Sequence, residues 1–231
     1  MIAIHQEPVQ RLTLGCVPWS SYDAVLHAFD ERHLRISFDR GRLEIRTITQ
    51  EHEFSKKLLG RLVEMLTFVL HIPIHSGGST TFRREVLDRG LEPDDCYWIQ
   101  NESLMRGKMD YDIETLPPPD LAIEIDITSS SIDRMGIYAA LRVPEVWRLD
   151  RKGLSVHHLG ANGQYKEKNR SRAFPFLPLD EVRRFLHKAL TTDETTLLHA
   201  FHDWVRDTLL PTHTAAVRKP AKGDKRNGKK S

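Results

Sequence analysis

The chain has 231 residues, 39% of them hydrophobic and 29% charged, with a formal net charge of +2. That suits one domain with additions or at most two small ones, and no stretch approaches the roughly 20 apolar residues of a membrane helix. Cys16 and Cys96 are too few for a disulfide framework, and the start MIAIHQEPVQRLTLG lacks the pattern of a signal peptide, so a cytoplasmic setting is expected.

Residues 19–32, WSSYDAVLHAFDER, predict a short helix capped by Ser20 or Ser21, with Tyr22, Val25, Leu26 and Phe29 on one face. LRISF and RLEIRT flank the turn signal Asp39-Arg40-Gly41, which makes residues 34–47 a β-hairpin. The stretch 50–70 is the best helix in the chain. Phe54, Leu58, Leu62, Met65, Leu66 and Val69 recur at intervals of three and four, with Thr49 as N-cap. Glu51 and Glu53 suit the positive end of its dipole, and helical geometry puts Glu51 nearer the apolar face. Pro73 closes the helix, and Gly77-Gly78 mark a turn before a strand over 79–85.

Further strands are expected at 94–99, 120–127 and 143–149. A helix from about 131 to 141 would take its cap from Thr128-Ser129-Ser130-Ser131. Gly153 opens a hairpin through 154–168, and helices near 179–189 and 193–209 finish the body. Strand–helix–strand alternation between 120 and 150 points to a βαβ-like unit in a mixed sheet. The last 20 residues, 212–231, hold seven Lys or Arg and only Asp224; removing these from 34 basic and 32 acidic residues leaves 27 against 31 in the body. Such a polar, aperiodic tail is expected to be disordered, either holding nucleic acid electrostatically or solubilising the chain.

Chemistry gathers around residues 117–148. Asp120, Ala122, Glu124 and Asp126 alternate with Leu121, Ile123, Ile125 and Ile127, so one strand face is apolar and the other carries three carboxylates. A bound divalent cation would compensate such acids in a core; a solvated sheet face produces the same alternation. Pro93-Asp94 and Pro119-Asp120 both stand at strand entries. A metal-dependent phosphodiesterase needs two acids from neighbouring strands on one cation, and a positive group against the charge developing on the phosphate. Asp94 and Glu124 can supply the acids and Arg134 the positive charge, while Asp126 is either a third ligand or the partner of Arg134. Tyr138, Trp147 and Cys96 are expected in the core.

The order EPDD (92–95), PDLAIEIDITSSS (119–131) and DRMGIYAALRVPEVWRLD (133–150) resembles the Uma-two family of putative restriction endonucleases, within the PD-(D/E)xK nuclease superfamily. The Glu51-His52-Glu53 helix start and GSTTFRRE (78–85) extend the likeness to about residues 15–165. The resemblance implies an α/β, restriction-endonuclease-like fold, a mixed β-sheet flanked by helices. It would occupy 1–211, with a helical extension over 179–209, ahead of the basic tail. It also implies an endonuclease that hydrolyses DNA phosphodiester bonds with Mg²⁺, or Mn²⁺ in its place, and a homodimer as the arrangement that cuts both strands.

Carried over residue by residue, Asp94 matches the acid of the Pro-Asp motif, Glu124 the acid of the next strand, and His52 a family histidine at the start of the long helix. The superfamily's lysine would stand at Asp126; in this family it stands four residues before the tyrosine matched by Tyr138, where this chain has Arg134. Arginine stays protonated, so it can stabilise charge but cannot act as a general base. That departure makes a catalytically inactive nuclease-fold module, binding nucleic acid or a protein partner, the alternative.

Overall fold

Strand β1 (Arg11–Leu14), helix α1 (Trp19–Ala28) and the hairpin β2 (Leu34–Asp39)–β3 (Arg42–Thr47) open the computed structural model, which describes residues 10–29, 34–109, 111–112, 115–127 and 130–217. Helix α2 (Gln50–Leu70) follows, then β4 (His75–Ser76), β5 (Phe82–Arg84), β6 (Arg89–Leu91), β7 (Asp95–Trp98) and the short α3 (Glu102–Met105). The second half runs β8 (Leu121–Asp126), α4 (Arg134–Ala140), β9 (Glu145–Asp150), β10 (Gly153–Leu159), β11 (Tyr165–Lys168), α5 (Leu179–Lys188), α6 (Glu194–Trp204) and α7 (Leu210–Val217), with a wide turn at Val205–Leu209 joining the last two. No helix among the described residues is long and apolar enough to cross a membrane.

These strands form two sheets. The smaller is antiparallel, in the order β1-β3-β2-β6-β5, and turns at Arg40 and Gly41, whose φ angles of 48° and 80° are the left-handed pair that suits a tight hairpin. The larger is mixed, in the order β11-β10-β9-β8-β7-β4, with β8 and β9 parallel around α4. The expected mixed sheet and βαβ-like unit are both present; the separate small sheet was not expected.

Strand β8 is buried on both faces, which excludes the solvated acidic face. Leu121, Ile123 and Ile125 pack with Leu58, Leu62, Leu66 and Phe201 on one side. On the other, Ala122 packs with Trp98, Ile137, Tyr138 and Val146. The small sheet turns Ile36, Phe38 and Leu43 toward Tyr22 of α1. Its opposite face, carrying Arg35, Ser37, Glu44 and Arg46, meets the Glu124 side of β8.

Several local expectations are corrected. No side chain caps α1: Ser20 and Ser21 already lie in its first turn, and the Pro18 carbonyl accepts from Ser21 and Tyr22 N–H. Residues 30–32 lie outside the described residues. The strand expected over 79–85 is confined to β5 because Glu85–Leu87 forms a 3-10 turn that reverses the chain into β6. Helix α4 is capped by Asp133, which accepts from Gly136 N–H at 2.9 Å, while Ser130 and Ser131 bond Glu44 instead; Thr128 and Ser129 lie outside the described residues. In α2, Thr49 does cap the helix, at 3.2 Å from His52 N. There the inward stripe runs through Leu66 and Leu59 and one heptad back to His52, so Glu51 and Phe54 are exposed and Glu53 is half-buried. Finally, α7 extends the fold past residue 212, with His213 against Phe176 at 4.8 Å between ring centroids. The remainder of the expected tail, from 218, lies outside the described residues.

Gly90 holds β6 against α1, since a Cβ there would run into the Tyr22 hydroxyl and come within 2.9 Å of its ring. Tyr22 is fully buried and cannot swing away. Gly90→Ala is expected to lower stability by about 1–3 kcal/mol, measured by urea unfolding; a change under about 0.5 kcal/mol would show that the ring yields.

Candidate active site

Asp94 and Glu124 meet because of strand register. Asp95 pairs with Ile123 across antiparallel β7 and β8, and Asp94, just before β7, donates its N–H to the Ile123 carbonyl at 3.1 Å, next to Glu124 in sequence. Where the ladder stops at Pro93, the Asp94 carboxylate supplies an acceptor for β8, its Oδ2 accepting from Ile125 N at 2.7 Å. Both acids are buried, at 0% and 3% exposure.

Asp94 Oδ1 accepts from Arg35 Nε at 3.1 Å. His52 Nε2 lies 3.0 Å from the same oxygen, but neither ring nitrogen makes a well-aligned hydrogen bond. Glu124 is gripped in fork geometry by Arg134, with Nε at 2.5 Å from Oε1 and Nη2 at 2.7 Å from Oε2. Tyr138 donates to Oε2 at 2.8 Å, and Arg46 Nη2 reaches Oε1 at 3.5 Å. Arg134 also donates to Ser37 Oγ and, at 2.7 Å, to the Glu92 carbonyl. It thereby joins β8, β2 and the approach to β7.

Burial would favour the neutral arginine, but the Glu124 charge outweighs it and holds the Arg134 pKa above its ordinary value. Burial and then Glu124 push the Tyr138 hydroxyl well above its usual range, so it remains a donor. Burial would raise Asp94, yet His52, then Arg35 and Arg134, hold it below the usual carboxylate range.

Of the residues expected to carry chemistry, Asp94, Glu124, Arg134 and His52 are brought together. Asp126 is not a partner of Arg134: its Oδ2 accepts from Arg148 Nη2 at 2.6 Å, because parallel β9 lays Arg148 beside Glu124. Its Oδ1 is buried without a hydrogen-bond partner among the described residues. Asp120 serves structure, accepting from Ile99 N, Asn101 N and Asn101 Nδ2 at 2.7, 2.9 and 2.6 Å. Cys96 and Trp147 are core residues, as expected. Tyr138 is buried as expected but also belongs to the site. Arg35, Ser37, Arg46 and Glu92 were missed. The available signal was the hairpin's own alternation, which sets Arg35 directly opposite Arg46; two like charges so placed need anions nearby.

A hard divalent cation takes oxygen ligands, and Mg²⁺ commonly uses one or two carboxylates with water and phosphate oxygens for the rest. Asp94 and Glu124 on neighbouring strands fit that donor chemistry, and the unpartnered Asp126 Oδ1 is a third oxygen on the Glu124 face of β8. As arranged, however, all four oxygens of Asp94 and Glu124 accept from protein donors. Among the described residues, no three or more His, Cys, Asp or Glu side chains are grouped to hold a metal ion.

Because Asp94 is held below its ordinary pKa in the folded state, it contributes stability above about pH 4 that is lost as the pH falls. Urea unfolding between pH 6 and pH 2.5 should show a steeper loss for the native chain than for Asp94→Asn. Parallel curves would remove Asp94 from the acid response.

Comparison with known proteins places these residues in a family. The model of the Uma2 family, described as "Putative restriction endonuclease", matches residues 19–185, a span that contains every residue of the cluster. Among solved structures, a putative nuclease belonging to DUF820 from Anabaena variabilis ATCC 29413 is similar at 14% identity, over 72% of this chain and 90% of that one, with a TM-score of 0.42. No curated protein matches. The architecture is α/β, a mixed sheet flanked by helices, and the chain belongs to the Uma2 family of putative restriction endonucleases.

Proposed function

We propose that this chain is an endonuclease that hydrolyses DNA phosphodiester bonds with Mg²⁺ or Mn²⁺ at the Asp94–Glu124 pair. One observation carries the reading: two acids 30 residues apart in sequence are buried side by side, Asp94 bonded to the backbone of Ile123 and Ile125 on either side of Glu124, with Arg134 gripping Glu124. Asp94 and Glu124 would hold the cation, with Asp126 as the third oxygen within the strand. When bound, such a cation polarises the phosphate and acidifies a water.

The remaining work falls to the chain's own groups. Arg134, fixed by Ser37 and the Glu92 carbonyl, offsets negative charge developing on the phosphate oxygens. It keeps its proton throughout and so cannot activate the water. His52 stands 3.0 Å from Asp94, and an imidazole can both accept and donate a proton. It is the proton-exchanging side chain of the cluster.

A second reading is favoured by the donor count. Four oxygens already matched to protein donors describe a closed polar network as well as a metal pair, which suits a module that binds DNA or a protein partner without cutting. Plasmid incubated with Mg²⁺ or Mn²⁺ separates the two. Hydrolysis predicts metal-dependent nicking or linearisation that falls at least about tenfold in Asp94→Asn and Glu124→Gln. No cleavage with either metal, or equal cleavage by native and variant chains, overturns it; salt-sensitive DNA retention without cleavage supports the module.

A further inference from the structure

Arg46 stands between two arginines. Across β3 it pairs with Arg11 on one side and Arg35 on the other. Like charges directly opposite on a sheet repel, and Arg46 is also buried at 4% exposure. Arg35 has more to hold it, and Arg11 has solvent. Arg35 lies 3.1 Å from Asp94 and 3.8 Å from Glu92, and Arg11, an exposed residue, lies 3.6 Å from Glu44. Arg134 has four bonds. Among the described residues, the Arg46 guanidinium has one hydrogen-bonded ion pair, 3.5 Å to Glu124 Oε1.

A dication entering between Asp94 and Glu124 would add two positive charges beside Arg35, Arg46 and Arg134. It would also need a carboxylate oxygen that a guanidinium already covers. Some donor must leave, and the geometry ranks them. Arg134 would give up fork geometry, Tyr138 a short bond of 2.8 Å, and Arg35 would leave a fully buried Asp94; Arg46 would give up a single bond of 3.5 Å and escape two like-charged neighbours.

We propose that Arg46 is a latch on the site: it closes Glu124 to a divalent cation, and the cation binds as Arg46 turns away. This rests on reading Asp94 and Glu124 as a metal pair. Arg46→Met removes the latch, Arg46→Lys keeps its charge, and Arg46→Met combined with Glu124→Gln removes both sides of the contact.

Mn²⁺ titrated by calorimetry into the full chain reads the effect without reference to activity. Arg46→Met should bind Mn²⁺ at least tenfold tighter than the native chain, Arg46→Lys should stay close to native, and the double variant should lose the gain. Equal affinity in native and Arg46→Met chains, or a gain that survives Glu124→Gln, overturns the latch. Should Arg46→Met fail to fold, the native chain still decides: the Arg46 Nε–H resonance must shift on adding Mg²⁺, and a resonance that stays in place overturns the proposal. Tighter Mn²⁺ binding in Arg46→Met, with no cleavage by any chain, would retire the nuclease reading and keep the latch. Metal-dependent cleavage with equal Mn²⁺ affinity would do the reverse.

Discussion

The Glu124–Arg134 ion pair is the contact on which the two sheets depend. Arg134 begins α4, grips the central strand β8 through both oxygens of Glu124, and donates to Ser37 on β2 and to the Glu92 carbonyl before β7. One side chain therefore fixes the position of a helix, a core strand, the small sheet and the approach to Asp94. A buried ion pair is an expensive way to hold sheets together, because apolar residues of similar volume are often as stable or more so. Removing one partner alone is severe, since it strands a buried charge. Such an arrangement suits a place where charge is needed, and the family membership gives a reason for charge to be there.

Much of the frame was legible because periodicity reports burial. Helix α2 runs from Gln50 to Leu70 as its three-and-four spacing required, and the hairpin, β8 and the parallel β9 fall where alternation placed them. Periodicity gives the face and not what covers it. The face of β8 that carries Glu124 was equally compatible with solvent; only the packing of the small sheet across it makes it interior. The same limit hid Arg35 and Arg46. On the hairpin they alternate with Ile36 and Ile45 like any solvated residues, and what covers them is distant in sequence, Asp94 lying 59 residues from Arg35 and Glu124 78 from Arg46. The outcome at Asp126 turned on register: a parallel β9 brings Arg148 to it, and no local feature of the sequence states that alignment.

An arginine at position 134, where the resemblance implies a lysine, sets what the site can do. A lysine offers one compact charge and can lose its proton; Arg134 offers a planar fork that locks both oxygens of Glu124 and stays charged. With Arg35 and Arg46 added from the hairpin, the acids balance without a metal, which makes the closed arrangement self-consistent. Chemistry would then begin with an exchange of partners at Glu124, and the protein's affinity for a cation would be set by guanidinium contacts as much as by the carboxylates.

The most direct test of this account is a double-mutant cycle on the central pair. Unfolding free energies of the native chain, Glu124→Gln, Arg134→Met and the combined variant give their coupling. A buried fork that joins the two sheets predicts a favourable coupling of about 2–3 kcal/mol, with the double variant losing much less than the two single losses together. A coupling below about 0.5 kcal/mol would mean that Glu124 and Arg134 act independently, and would contradict the account.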